Sequence, residues 1–328
     1  MMNVYTIIKH NFRRAASRRT YILLSLGITF ATILLAVYFT SRFEFKGNIA
    51  LISKEKTPVM QSSGLNIHLL EAVPPRSQLV MNKYDAVVID KGNGEYEVDT
   101  IKNKKFEESI LKIFQNPGIL EVEGDQSSKA GTGILGYMIM FLMLQGLFFM
   151  TFFTEDKERK NLKRIATSPA SIGSYLAGIG IFNFSMLYVP TMAVLVVSKE
   201  VLKVNIGFSY LQYLYLLAMI ALFSTAFALF MTATIEKQDN VMTGAATIVV
   251  LTSILSGSFS AINTGSSAIN GLISLLPQKA YLSMVYGLEN GKSFTGYLLQ
   301  AGYIILLSLA MAAAGAVICR KRYNEGRY

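Results

Sequence analysis

Long unbroken apolar runs are the feature that most limits what this 328-residue chain can become. Roughly 20 consecutive apolar residues make a helix long enough to cross the hydrocarbon core of a bilayer. A soluble helix shows water a polar face at regular spacing, so it does not produce such runs. Runs of membrane length fall at about 20–39, 133–153, 172–198, 210–234, 241–260 and 296–318, the fifth being rich in Gly, Ser and Thr. Composition agrees: 52% of the residues are hydrophobic and 16% are charged, too few charges to cover a soluble protein of this length. The fold class expected is mainly α: a polytopic membrane protein with six transmembrane helices and a small extracellular α/β domain between spans one and two.

Lys and Arg set the orientation. The first 19 residues carry Lys9, Arg13, Arg14, Arg18 and Arg19; the loop after span two carries Lys157, Arg159, Lys160, Lys163 and Arg164; the tail at 320–328 carries Arg320, Lys321, Arg322 and Arg327. The short loops on the other side carry few. The positive-inside bias predicts a multi-pass protein of the plasma (cytoplasmic) membrane with both termini cytoplasmic. In residues 1–19, Val4, Ile7, Ile8, Phe12 and Ala16 recur at helical spacing against the basic residues. This pattern predicts an amphipathic helix in the headgroup layer, with membrane lipid as a partner. The first run is too long for a signal-peptide core and reads as a retained span.

Residues 40–132 are the soluble-looking stretch. Ile49–Ile52, Ile67–Leu70, Ala86–Ile89 and Tyr96–Val98 read as strands, the last two joined across Gly92-Asn93-Gly94. A short helix follows Pro74-Pro75. Phe106, Ile110, Ile113 and Phe114 mark an amphipathic helix ended by Asn116-Pro117-Gly118. Residues 133–319 then hold spans two to six, with a cytoplasmic loop at 154–171. An outer segment at 261–295 is broken at Pro277 into two pieces too short to cross, a re-entrant or interfacial helical pair.

Two motifs tempt. Gly131-Thr132-Gly133-Ile134-Leu135-Gly136 fits the dinucleotide-binding G-x-G-x-x-G, but a membrane-length apolar run follows it instead of an amphipathic helix. Gly287-Leu288-Glu289-Asn290-Gly291-Lys292-Ser293 resembles a phosphate loop, with Tyr286 where the first glycine belongs. Neither predicts a nucleotide site, so no cofactor is expected on this chain. The two histidines, His10 and His68, fall on opposite sides of the membrane in this topology. Cys319 stands alone, no cluster has metal-ligand spacing, and no catalytic residues are assigned. The net charge of +10 comes with no nucleic-acid motif. No Asp, Glu, Lys or Arg lies in the middle of any span, which points to an energy source on another subunit. Gln145 and Asn183 are candidates for the translocation path or for helix packing, as is Pro277.

The loop after span two reads Thr154-Glu155-Asp156-Lys157-Glu158-Arg159-Lys160-Asn161-Leu162-Lys163-Arg164-Ile165-Ala166-Thr167-Ser168-Pro169. Thr154 is placed to cap a helix with an acidic first turn, and Leu162 and Ile165 give that helix an apolar contact point. A short charged helix of this kind suits docking into a soluble partner; an ordinary loop obeying the charge rule explains it equally well.

The order of elements, with Glu155, Glu158, Leu162, Lys163, Arg164, Ser168 and Pro169 and then Tyr175, Leu176 and Gly178 in the next span, resembles the membrane subunit of type-2 ATP-binding-cassette exporters. The closest subgroup is the one with a large extracellular loop between the first two spans. The chain departs at Lys160 and Asn161, where that family often has Gly-Thr. The resemblance implies a subunit paired with a second copy or a paralogue, each binding a cytosolic ATPase that carries the ATP and Mg. It implies that Glu155, Lys157, Glu158, Leu162, Arg164, Ser168 and Pro169, with Ile8, Phe12, Arg13 and Arg14 of the first helix, contact that ATPase. The substrate expected is amphiphilic: an antimicrobial peptide, a lipid-like antibiotic or a drug. The alternatives are sodium export and a non-transporting sensor or adhesion protein whose working part is residues 40–132.

Overall fold

The computed structural model describes residues 4–42, 47–53, 65–70, 72–75, 77–80, 83–92, 95–100, 104–115, 130–162, 171–203, 206–259 and 267–325. They divide into two units, one of residues 41–128 and one of residues 1–40 with 129–328.

In the smaller unit the strands are β1 (Gly47–Ile52), β2 (Leu65–Leu69), β3 (Ala86–Asp90) and β4 (Tyr96–Asp99), in the order β2-β1-β3-β4. β1 runs parallel to both β2 and β3, with Ile49 opposite Ile67 and Ala86, while β3 and β4 pair antiparallel. Both faces of β1 and β3 are apolar, as buried parallel strands require. Ile49, Ala86 and Val88 pack with Val98 and with Ile110 and Phe114 of an amphipathic helix, Lys104–Gln115. Ala50 and Val87, one residue out of phase, pack on the opposite face with Leu79 and Tyr84. Leu79 belongs to the short helix Ser77–Val80.

The larger unit is helical. Its elements are α1 (Val4–Ser17) and α2 (Arg19–Arg42) before the strands, then α3 (Ala130–Phe149), α4 (Thr151–Glu158), α5 (Ile172–Glu200), α6 (Tyr210–Thr234), α7 (Gln238–Leu255), α8 (Ser267–Ser274), α9 (Pro277–Glu289) and α10 (Leu298–Asn324). Among the described residues four helical stretches are long and apolar enough to cross a membrane: Gly131–Glu158, Ile172–Glu200, Tyr210–Thr234 and Phe294–Asn324. The first and fifth runs of the sequence lie along α2 and α7. In α2 the stretch Leu26–Ala36 is apolar, and α7 spends its first turn on Gln238-Asp239-Asn240, which shortens its apolar part.

α3 and α6 form the centre: 72% of the apolar window of each is buried inside the molecule, against 22% for the last helix. α10 lies along α6, and α3 packs against α6, α7 and α9. Small residues allow close approach. A Cβ on Gly136 would lie 2.5 Å from the Ser258 carbonyl oxygen, so this glycine of the G-x-G-x-x-G pattern serves helix packing. Gln145 donates to Thr29 Oγ1 (3.0 Å), joining α3 to α2, and Asn183 of α5 donates to the Gly146 carbonyl (2.8 Å). Pro277 is the first residue of α9, where its missing N–H costs nothing. Ser171 caps α5, and Ser209 with Gln212 forms a capping box at the start of α6.

Candidate functional site

The helix of the second apolar run does not stop where the charged loop begins. Thr154 N–H donates to the Met150 carbonyl, and Thr154 Oγ1 donates back to Thr151. α4 therefore continues α3 after a single-residue break at Met150. This corrects the expectation that Thr154 opens a new helix with an acidic first turn: Thr154 lies inside α4, and Glu155 and Asp156 fall in its second half. α4 closes at Glu158, Arg159 caps it, and Lys160 turns the chain with φ 56°. That left-handed conformation favours glycine, the residue the resembled family often carries there.

Continuing the helix carries its charged end into the junction of α1 and α2. Arg14 Nη2 donates to Glu155 Oε2 (2.5 Å), and its Nη1 reaches both Asp156 oxygens (3.1 and 3.2 Å). Arg18 forks onto Glu155 at 2.7 and 3.2 Å. The Arg14 guanidinium also lies 4.7 Å from the centre of the Phe152 ring. Asp156 accepts two further bonds, from Tyr175 Oη of α5 (2.7 Å) and Asn161 Nδ2 (3.2 Å). These groups are mostly shielded from water, where a charge needs such partners to be tolerated.

The next two residues serve the next two helices. Lys157 is buried, and its ammonium donates to the carbonyls of Thr232 and Ile235 at the C-terminus of α6. Glu158 Oε1 accepts from Gln238 N–H at the N-terminus of α7 (3.1 Å). A cation at a C-terminus and an anion at an N-terminus each oppose the charge of the helix end they face. Lys157-Glu158 thus fits the break between α6 and α7, with both signs in the favourable order.

Of the sequence candidates, Glu155, Lys157, Glu158 and Arg14 come together in this junction. Leu162 is buried in the core of the helical unit. Arg164, Ser168 and Pro169 lie outside the described residues. Phe12 stands edge-on to Phe182 at 5.1 Å, Ile8 is half-buried, and Arg13 is exposed. The buried ridge of α1 is Ile7, Asn11 and Ala15; of the apolar residues Val4, Ile7, Ile8, Phe12 and Ala16 read from the sequence, Ile7 lies in that ridge. α5 sets that ridge: Ile7 sits where a Cβ on Gly178 would be, 2.7 Å away. Asp156, Tyr175, Arg18 and Asn161 complete the junction. Tyr175 and Gly178 were visible in the family-like pattern; what they touch was not.

No curated protein matches the sequence. Residues 76–318, most of the chain, match the family described as ABC-2 family transporter protein. The chain belongs to the ABC-2 transporter family. The matched region runs from the smaller unit through the four long apolar helices. As an ABC-2 membrane permease, the chain is a transport subunit. The two nucleotide-like motifs of this permease also meet each other. Glu289, at the end of α9, accepts from Gly131 N–H and Thr132 N–H (2.7 Å each) and from Thr132 Oγ1 (2.6 Å). The helix N-terminus that would hold a phosphate in a dinucleotide fold is filled by the protein's own carboxylate. Among the described residues no group of His, Cys, Asp and Glu is arranged to hold a metal ion.

Proposed function

We propose that this ABC-2 permease is the membrane-embedded subunit of an ATP-driven exporter, working with a separate cytosolic ATPase and a second permease copy or paralogue. It crosses the plasma membrane of a bacterium six times, keeps both termini in the cytoplasm and places residues 40–132 outside. The ATPase docks on α1 and the loop after span two. The substrate is amphiphilic, such as an antimicrobial peptide, a lipid-like antibiotic or a drug. The observation that carries this reading is the junction at Glu155–Glu158. One helix end bonds to α1, α5, α6 and α7, so force applied there reaches several membrane helices at once. Spans without charge in their middle support an energy source outside the chain.

The test is reconstitution with the ATPase that co-purifies from the native host. Vesicles holding both proteins should accumulate a fluorescent amphiphilic drug or peptide only with ATP and Mg. Transport driven by a proton or sodium gradient without ATP would overturn the reading.

A further inference from the structure

α9 carries a polar stripe on the side it turns away from the bundle. Gln278, Tyr281, Met284, Val285 and Leu288 are buried and set its inner face. At about 100° per residue, Lys279, Ser283, Tyr286 and Asn290 line up on the opposite side. Ser283 and Asn290 are exposed there, and Lys279 and Tyr286 are half-buried. The outward face of α10 is built differently: it shows Leu299, Leu306, Leu309 and Val317. Hydrocarbon suits the face of α10. A polar face among membrane helices belongs beside a path that polar groups use.

The stripe reaches well into the bundle. Glu289, at one end of α9, is fastened to the first turn of α3. Gln278, at the other end, donates to Thr252 Oγ1 of α7 (2.8 Å) and to Met143 Sδ far along α3 (3.6 Å). α9 therefore runs antiparallel to α3. Lys279 stands roughly 15 Å inward from Glu289 along the helix, at about 1.5 Å per residue, and its Cβ points further inward still. It makes no hydrogen bond or ion pair among the described residues. No side chain caps the N-terminus of α9, so the positive end of the helix adds to the charge of Lys279. A lysine in a first turn opposes the helix dipole. Here two like charges lie together with no counter-charge between them, a local conflict of the kind that marks a functional position.

We infer that this face of α8 and α9 receives the transported amphiphile, and that the headgroup it selects is anionic, a carboxylate or phosphate held by Lys279. The inference rests on the exporter reading and adds a charge to its substrate class. α8, which leads into α9, exposes Ile269, Leu272 and Leu275, an apolar surface for the tail. Lys279 meets the head, and Ser283, Tyr286 and Asn290 offer it polar contacts on the way to the outer end of α9.

The test uses the full chain, reconstituted in phosphatidylcholine vesicles with the ATPase that co-purifies with it. Two fluorescent probes share one dodecyl tail, one ending in phosphate and the other in trimethylammonium. ATP-dependent export should favour the phosphate probe. Lys279→Gln should raise the KM for that probe at least tenfold at near-constant kcat, leave export of the trimethylammonium probe unchanged and keep the melting temperature. Lys279→Arg should retain the KM of the unaltered chain, and Lys279→Glu should reverse the preference. If Lys279→Gln does not fold, Lys279→Met replaces it, with the same loss expected. An unchanged KM in a folded variant overturns the inference. So does an equal loss for both probes, which makes the lysine structural. A variant that keeps its KM but binds phosphatidylglycerol more weakly makes the occupant a resident lipid, and one that no longer self-associates makes it a second copy of the chain. Each of these overturns the inference and leaves the exporter reading standing. Export of the probes without ATP removes the exporter reading, and this inference with it.

Discussion

The two ends of the helical unit solve one problem in different ways. At one end a single side chain, Glu289, satisfies the N-terminus of α3, and Tyr213 Oη closes the nearby turn by donating to the Ile206 carbonyl (2.6 Å). At the other end Arg14, Arg18, Glu155, Asp156, Lys157 and Glu158 share the work with Tyr175 and Asn161. Both ends obey the same rule for helix termini. The difference lies in connectivity. The Glu289 cap joins two helices, whereas the charged junction joins α1 and α4 to α5, α6 and α7. One end is a local fastening and the other a shared one, so damage should spread further from the second.

Four substitutions probe that contrast, the largest effect first. Asp156→Ala removes the acceptor shared by Arg14, Tyr175 and Asn161. Breaking a buried pair costs about 3–5 kcal/mol, so the chain should melt far below the unaltered protein in detergent; an unchanged melting temperature would mean the junction is not shared. Lys157→Met leaves the Thr232 and Ile235 carbonyls without this donor, a loss of about 1–3 kcal/mol. Hydrogen exchange should rise at the end of α6 and the start of α7 together, and protection lost at neither would count against the coupling. Glu289→Ala removes one cap, about 0.5–2 kcal/mol, with faster exchange confined to the first turn of α3. Faster exchange across α6 as well would erase the distinction between the ends. Lys160→Gly relieves the left-handed residue and should raise stability by up to about 1 kcal/mol; a drop would show that the lysine side chain contributes something beyond the turn.

Much of this architecture was legible because it depends on local pattern. The unbroken apolar runs of β1 and β3 report burial on both faces, the amphipathic spacing of Phe106, Ile110 and Phe114 reports one face, and both are properties of neighbouring residues. The junction was legible only in part. Glu155 stood out as a charged residue after an apolar run, but its partners Arg14 and Arg18 lie more than a hundred residues earlier. No periodicity encodes such a pairing. The packing of α1 was hidden for the same reason: spacing marked Ile7 as apolar, but only the contact at Gly178 shows that Ile7, and with it the polar Asn11, faces the protein. Thr154 looked like a cap because it precedes acids. The helix already running from Met150 took precedence, since an established ladder extends more cheaply than a new one begins. Glu289 was seen inside a phosphate-loop look-alike, and its true partner was the other look-alike.

The helix from Gly131 to Glu158 spans 28 residues, roughly 42 Å at 1.5 Å per residue. It is gripped at its first turn by Glu289 and at its last by Arg14, Arg18 and the α6 carbonyls. A beam held at both ends turns small rotations into displacement: a tilt of about 5° about one end moves the other by roughly 3.5 Å. That distance exceeds the reach of a hydrogen bond. The beam therefore cannot swing on either grip without parting bonds at the other, unless it flexes at Met150, the one break along its length.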